Sequence, residues 1–257
     1  MKLGAQLYSV RNTTQTPEEY YQTMKRIKEI GYENVQLSGA APMDAAYLAQ
    51  VSRELDLPIV CTHVPFERIV GDTDALIAEH KTFGSPVIGI GSMPKQFRKV
   101  KGGLDAFLAE LAEPVKKIQD AGLNFSYHNH HFEFVKEDES DEQIVYDRFL
   151  ERCPTWHFIL DTYWVEYAGY SALEYIKKVG GKRLYNVHFK DMANDEKRSI
   201  CACGRGVLDF AAITALCKKE GVVNALVEQD NAPDAPDAIE EMRTSYRHLR
   251  PIFDASK

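Results

Sequence analysis

Four short segments in the second half of the sequence each carry an apolar, β-forming run into a residue that can ligate a metal. They are Glu133 in Tyr127-His128-Asn129-His130-His131-Phe132-Glu133-Phe134, Asp161 in Phe158-Ile159-Leu160-Asp161-Thr162, His188 in Asn186-Val187-His188-Phe189-Lys190-Asp191, and Glu228 in Ala225-Leu226-Val227-Glu228-Gln229-Asp230. A polar residue after such a run sits where a parallel strand leaves its sheet and opens onto a crevice. The spacings of 28, 27 and 40 residues each leave room for one helix and the next strand. If the strands close into a barrel, three carboxylates and an imidazole meet on one rim. Crowded together, these groups repel or stay unpaired unless positive charge sits among them. One divalent cation supplies that charge. An oxygen-rich set with one imidazole suits manganese, magnesium, cobalt or iron and accommodates zinc, without distinguishing among them.

Other residues stand where a substrate would meet that ion. In an extended strand His128 and His130 share a face and His131 takes the other, so the first two are expected to contact substrate. His63 ends the apolar run Ile59-Val60-Cys61-Thr62 and offers a partner for a hydroxyl. Lys190 lies two residues past His188 on the same strand face, placed to polarise a carbonyl or steady an enediolate. Tyr163 and Trp164 offer flat apolar walls, and Arg205, within Cys201-Ala202-Cys203-Gly204-Arg205-Gly206, offers one positive charge to a phosphate or a substrate oxygen. The Cys-x-Cys pair has no second pair beside it and makes a poor structural zinc site.

The elements that must position these residues repeat. Apolar strand starts fall near Lys2, Tyr32, Pro58, Pro86, Leu123, Trp156, Leu184 and Asn224, at intervals of 26 to 40 residues. Helical patterns fill the gaps: Thr16-Pro17-Glu18-Glu19 opens one with a cap, an N-terminal proline and acidic first-turn residues, and Gly31 closes it. Each strand followed by a helix implies parallel pairing through right-handed crossovers. Eight such units predict an α/β fold, a (β/α)8 TIM barrel spanning residues 1–257 as one domain, with its chemistry at the C-terminal ends of the strands. An open doubly wound sheet is disfavoured, since no Gly-x-Gly-x-x-Gly follows the first strand.

The net charge of −7 gives no reason to expect nucleic-acid binding, and no run approaches the ~18 apolar residues of a membrane span. The opening segment lacks the apolar core of a signal peptide, and five cysteines, an odd number in no disulfide framework, fit a reducing compartment; both point to the cytoplasm. Self-association is compatible with all of this.

Taken together, the four metal-ligand segments and the opening Gly4-Ala5-Gln6-Leu7-Tyr8-Ser9 resemble the sugar phosphate isomerase/epimerase family, the xylose isomerase-like barrels, over essentially the whole chain. The resemblance implies a single metal held by Glu133, Asp161, His188 and Glu228, and a small-molecule sugar or polyol substrate. It implies a ketose epimerase or an aldose–ketose isomerase, with a dehydratase of a keto-polyol such as an inosose as the alternative and a catalytically silent sugar-binding barrel as a further one. Where ketose epimerases place the strand-five ligand ahead of the asparagine of a Glu-x-x-Asn-Arg-Phe-Glu pattern, this sequence offers only the later Glu133. The superfamily also holds apurinic-site endonucleases with three metals, but their Asp-Thr-x-His reads Asp161-Thr162-Tyr163-Trp164 here, which removes a ligand. In an enediolate mechanism Glu133 and Glu228 would serve as the acid–base pair on opposite substrate faces.

Overall fold

The structure is a computed structural model that describes residues 1–255. Eight strands form one parallel sheet: β1 (Lys2–Gln6), β2 (Val35–Leu37), β3 (Ile59–Thr62), β4 (Val87–Ile90), β5 (Asn124–His128), β6 (His157–Asp161), β7 (Asn186–Phe189) and β8 (Asn224–Val227). Each begins at or just after its expected start. The sheet order is β3-β2-β1-β8-β7-β6-β5-β4, so the first strand lies beside the last and the sheet curls round on itself. At the seam, the Val64 amide donates to the Gly89 carbonyl at 2.8 Å. Gly89 permits that approach, because a Cβ there would lie 2.3 Å from the Thr62 carbonyl oxygen. The result is a nearly closed (β/α)8 barrel.

The strands are buried on both faces because both are covered, the outer by helices and the inner by the opposite strands. Thus β4, β7 and β8 are buried along their whole length. The covering helices show the matching one-sided pattern. Helix Pro17–Ile30 buries Tyr20, Met24, Ile27 and Ile30, the three-and-four spacing of a single helical stripe, and Thr16 caps it by accepting from the Glu19 amide at 3.2 Å. At the N-terminal floor, polar groups inside the barrel pair with one another: Asn34 Nδ2 donates to Asn224 Oδ1 at 2.7 Å, and Asn224 Nδ2 to Asn186 Oδ1 at 2.9 Å.

At the other end, the strand termini bring the site residues together through register. Asp161 at the end of β6 stands opposite His188 of β7, and His188 opposite Leu226 of β8, two residues short of Glu228. The long connection after β7 is organised by Asp191. Its carboxylate accepts from the amides of Met192, Gly204, Gly206 and Leu208 at 2.8–3.1 Å, which folds the glycine-containing segment back on itself. All five cysteines are free thiols. Among the described residues no helix is long and apolar enough to cross a membrane.

Candidate metal centre and cleft

The C-terminal ends of β5 to β8 bring His128, Asp161, His188 and Glu228 into one buried group, with ligand atoms all within 4.8 Å of one another. Three of the four residues expected to hold a metal are here. The fourth place belongs to His128, and Glu133 stands outside. The reason is strand geometry: His128 is the last residue of β5, as Asp161 is of β6, whereas Glu133 lies five residues further on in a short 3-10 turn, His131–Glu133. The sequence pattern favours a carboxylate for this place, and the strand end supplies an imidazole instead.

The outer nitrogen of each imidazole faces a carbonyl oxygen. His128 Nδ1 lies 2.8 Å from the Gly91 carbonyl, leaving Nε2 directed at Asp161 Oδ2, 3.3 Å away. His188 Nε2 lies 2.6 Å from Gln36 Oε1, leaving Nδ1 directed inward, 2.9 Å from Glu228 Oε2 and 3.7 Å from Asp161 Oδ2. Donation to those oxygens turns one nitrogen of each ring toward the centre, the arrangement by which hydrogen-bonded neighbours orient metal-ligating histidines. Asp161 serves two purposes, since its Oδ1 also caps the following helix at the Trp164 amide, 3.1 Å away. With two imidazoles and two carboxylates, the donor set fits a divalent transition metal, zinc included.

A cation of the chain's own stands beside them. Lys190 Nζ, on a side chain only 1% exposed, lies 3.4 Å from Asp161 Oδ2, 3.2 Å from Glu228 Oε2 and 2.8 Å from Asp230. Burial acts to raise the two carboxylates, but Lys190, together with His188 at Glu228 and the His128 and His188 hydrogen bonds at Asp161, holds both well below the usual range. Burial opposes the charged form of His188, yet Glu228 and Asp161 outweigh it and lift the imidazole to about 9. Lys190 is raised for the same reason: Asp161, Glu228 and Asp230 outweigh its burial. Asp230 is itself pushed up by burial and by Glu228.

Above this floor lies a cleft of about 480 Å³ whose walls include Gln6, Tyr8, His63, His130, Lys190 and Asp230. His63 and His130, expected to contact substrate, both line this cleft. His63 Nε2 and His130 Nδ1 are buried with no hydrogen-bond partner, and both rings are held neutral, chiefly by burial and then by the neighbouring His128. Trp164 stands one layer back, 5.2 Å from the His130 ring and 5.1 Å below Lys190 Nζ. Arg205 is outside the cleft: its guanidinium makes two contacts to Glu241, at 2.9 and 3.1 Å, because the Asp191-centred loop turns it away. Gln6, Gln36 and Asp230 belong to the site as well; Gln6 and Asp230 fall inside segments that carry the family resemblance, and Gln36 falls in none of them. Gln6 Nε2 donates to Glu228 Oε1 at 2.9 Å, and its position as the last residue of β1 is a second signal that points to it.

Glu133 is fully buried, where it accepts from the Tyr127 hydroxyl and from the His130 amide at 2.8 Å. Burial pushes its carboxyl up to about 8, against hydrogen bonds that favour the charged form. A raised carboxyl makes the folded state hold a proton that the unfolded chain releases near pH ~4.3. That contribution to stability is complete below the unfolded value and is lost as pH rises to about 8, at up to ~1.4 kcal/mol per pH unit. Glu133→Gln keeps the neutral shape, so the variant is expected to lose less stability than the wild type between about pH 5 and pH 8. Urea melts at the two pH values check this, and equal losses would mean that the buried carboxyl is already ionised.

No family model and no curated protein matches the sequence. The fold does find counterparts. A sugar phosphate isomerase/epimerase from Parabacteroides distasonis superposes with a TM-score of 0.78 at 20% identity, over 98% of this chain and 100% of that one. A D-allulose 3-epimerase from Methylomonas sp. gives 0.72 at 14% identity, over 98% of each chain. A family 2 AP endonuclease from Brucella melitensis gives 0.69 at 13%, over 97% of this chain and 98% of that one. At these identities the likeness is one of fold: this chain has the architecture of the xylose isomerase-like TIM barrels, along essentially its own whole length.

Proposed function

We propose that the protein is a divalent-metal-dependent isomerase or epimerase of an uncharged ketose or related polyol, acting by proton transfer next to a carbonyl. The observation that carries this reading is the convergence of His128, Asp161, His188 and Glu228 at the floor of an open cleft, with one nitrogen of each ring directed inward. Those four residues would hold the ion, which when bound supplies the positive charge that stabilises an enediolate.

The remaining work falls to the chain. Glu228 belongs to both the metal group and the cleft wall, so it is the carboxylate able to take the proton from the carbon next to the carbonyl. Gln6 fixes it by donating to the oxygen that does not face His188. Lys190 stays protonated and gives the substrate carbonyl oxygen a charged donor. His63 and His130, neutral and each with an unpartnered ring nitrogen, take substrate hydroxyls. Glu133 is neither one of the four residues that would hold the ion nor part of the cleft lining, so in this reading the second proton transfer is assigned to a group on the cleft wall.

The charges of the cleft favour an uncharged substrate. Its walls carry Glu67, Glu228 and Asp230 against a single Lys190, which three carboxylates already engage, and Arg205 is not among them. A phosphate would meet repulsion there.

The test is incubation of metal-loaded protein with a panel of free ketoses, their phosphate esters and cyclic keto-polyols in deuterated water. Label at the carbon beside the carbonyl of a free ketose, in a product of otherwise unchanged mass, is the expected result. A product lighter by one water moves the assignment to a dehydratase built on the same enediolate. Turnover only of phosphate esters would overturn the substrate class, and binding without label would favour a silent sugar-binding barrel.

A further inference from the structure

The loops after β4 and β5 supply neighbouring parts of the cleft wall, Gly91, Ser92 and Pro94 from one and His130 from the other. Two independent bridges tie them together. In the first, the Met93 amide donates to the Tyr127 hydroxyl at 2.9 Å, that hydroxyl bonds to Glu133, and the other Glu133 oxygen accepts from the His130 amide at 2.8 Å. In the second, Arg98 donates to the Met93 carbonyl and, at 2.9 Å, to Ser92 Oγ. Its guanidinium lies 3.7 Å over the Phe132 ring, and that ring is stacked on His130 with a 10° angle between planes.

The two bridges start at the same short segment, Ser92–Met93, and end on the backbone and the ring of the same residue, His130. One bridge holds the position of the His130 amide and the other the plane of its imidazole. None of the linked polar groups belongs to the metal group, yet both loops face the cleft. The first loop also carries the Gly91 carbonyl facing His128 Nδ1.

We propose that Glu133, Tyr127 and Arg98 are positioning residues, a clamp that sets the His130 ring against the β4 loop and so fixes the width of the cleft. The proposal rests on the reading of this cleft as the active site. Buried Glu133 and Tyr127 hold the backbone, while half-buried Arg98 and Phe132 hold the ring from outside. A hydroxyl bound by His130 would then sit at a set distance from Glu228 across the cleft, which is how a preorganised site discriminates between sugars.

Tyr127→Phe opens the first bridge and Arg98→Met the second. Amide hydrogen exchange at His130 and Met93, and the rate of carbethoxylation of His130 followed by mass spectrometry, read the clamp without any substrate. Each variant is expected to raise these by roughly tenfold, the equilibrium equivalent of one lost hydrogen bond. Phe125→Leu, lower on the same strand and packed on Trp156, serves as a control for general loosening and is expected to leave them unchanged. With an active substrate in hand, the clamp variants should raise KM more than they lower kcat. Should Tyr127→Phe fail to fold, Arg98→Met decides alone. Wild-type exchange and modification rates in Arg98→Met would overturn the proposal, as would an equal rise in the control. Faster exchange in a protein that never labels a ketose would leave the clamp standing and reject the isomerase reading instead.

Discussion

Asp161→Asn is expected to strip the protein of its divalent ion and to lower turnover by at least ~10²-fold, with the fold intact. The substitution is selective for a geometric reason. An amide at this position keeps the oxygen that caps the helix at Trp164. It replaces with an NH2 group the oxygen that lies 3.3 Å from His128, 3.4 Å from Lys190 and 3.7 Å from His188. His188→Ala should lose the ion as well, whereas His63→Ala should keep it, because His63 belongs to the cleft wall and not to the metal group. Metal analysis of the three purified variants checks the assignment, and equal occupancy would contradict it. Binding by the wild type should also depend on pH in one direction. His188 is raised to about 9, so below that value the ion must displace its proton, and affinity is expected to rise about tenfold per pH unit from about pH 6 to about 9. A flat profile over that range would take His188 out of the ligand set.

Glu228→Gln is expected to abolish label exchange, with turnover down ~10²-fold or more, the scale of a lost general base, while the ion remains bound more weakly. The amide keeps an oxygen for Gln6 and presents its nitrogen to His188 and Lys190, where the carboxylate had accepted from both. Losing that partner removes the first of the charges that lift His188, so its imidazole should fall from about 9 toward its ordinary range. The two effects have separate readouts, since ring chemical shifts across a pH titration follow His188 in the metal-free protein without substrate. Full exchange in the variant would pass the base role to another wall residue. An unmoved His188 would show that the Glu228 contact is not what holds its proton.

The sequence by itself carried the repeat, the strand starts and therefore the barrel. The reason is that each of these is local: apolar runs of strand length, caps such as Thr16 and stops such as Gly31 are written in adjacent residues, and eight βα units leave few ways to pair. It also brought Asp161, His188 and Glu228 to one rim, because each lies within one residue of the end of its strand, where side-chain direction is fixed by the pleat. The tertiary structure decided what depends on where a chain goes after its strand ends. Beyond His128 the backbone leaves the sheet, so strand alternation no longer says where Glu133 points, and the turn carries it inward to Tyr127 instead of to the rim. Arg205 was equally illegible, since its direction is set by Asp191 at the far end of the same loop, and its partner Glu241 lies on the helix Ala238–Ala255. Gln6 and Gln36 joined the site only because closure of the barrel brings β1 and β2 alongside β7 and β8, contacts of 222 and 152 residues in sequence separation that no local pattern encodes.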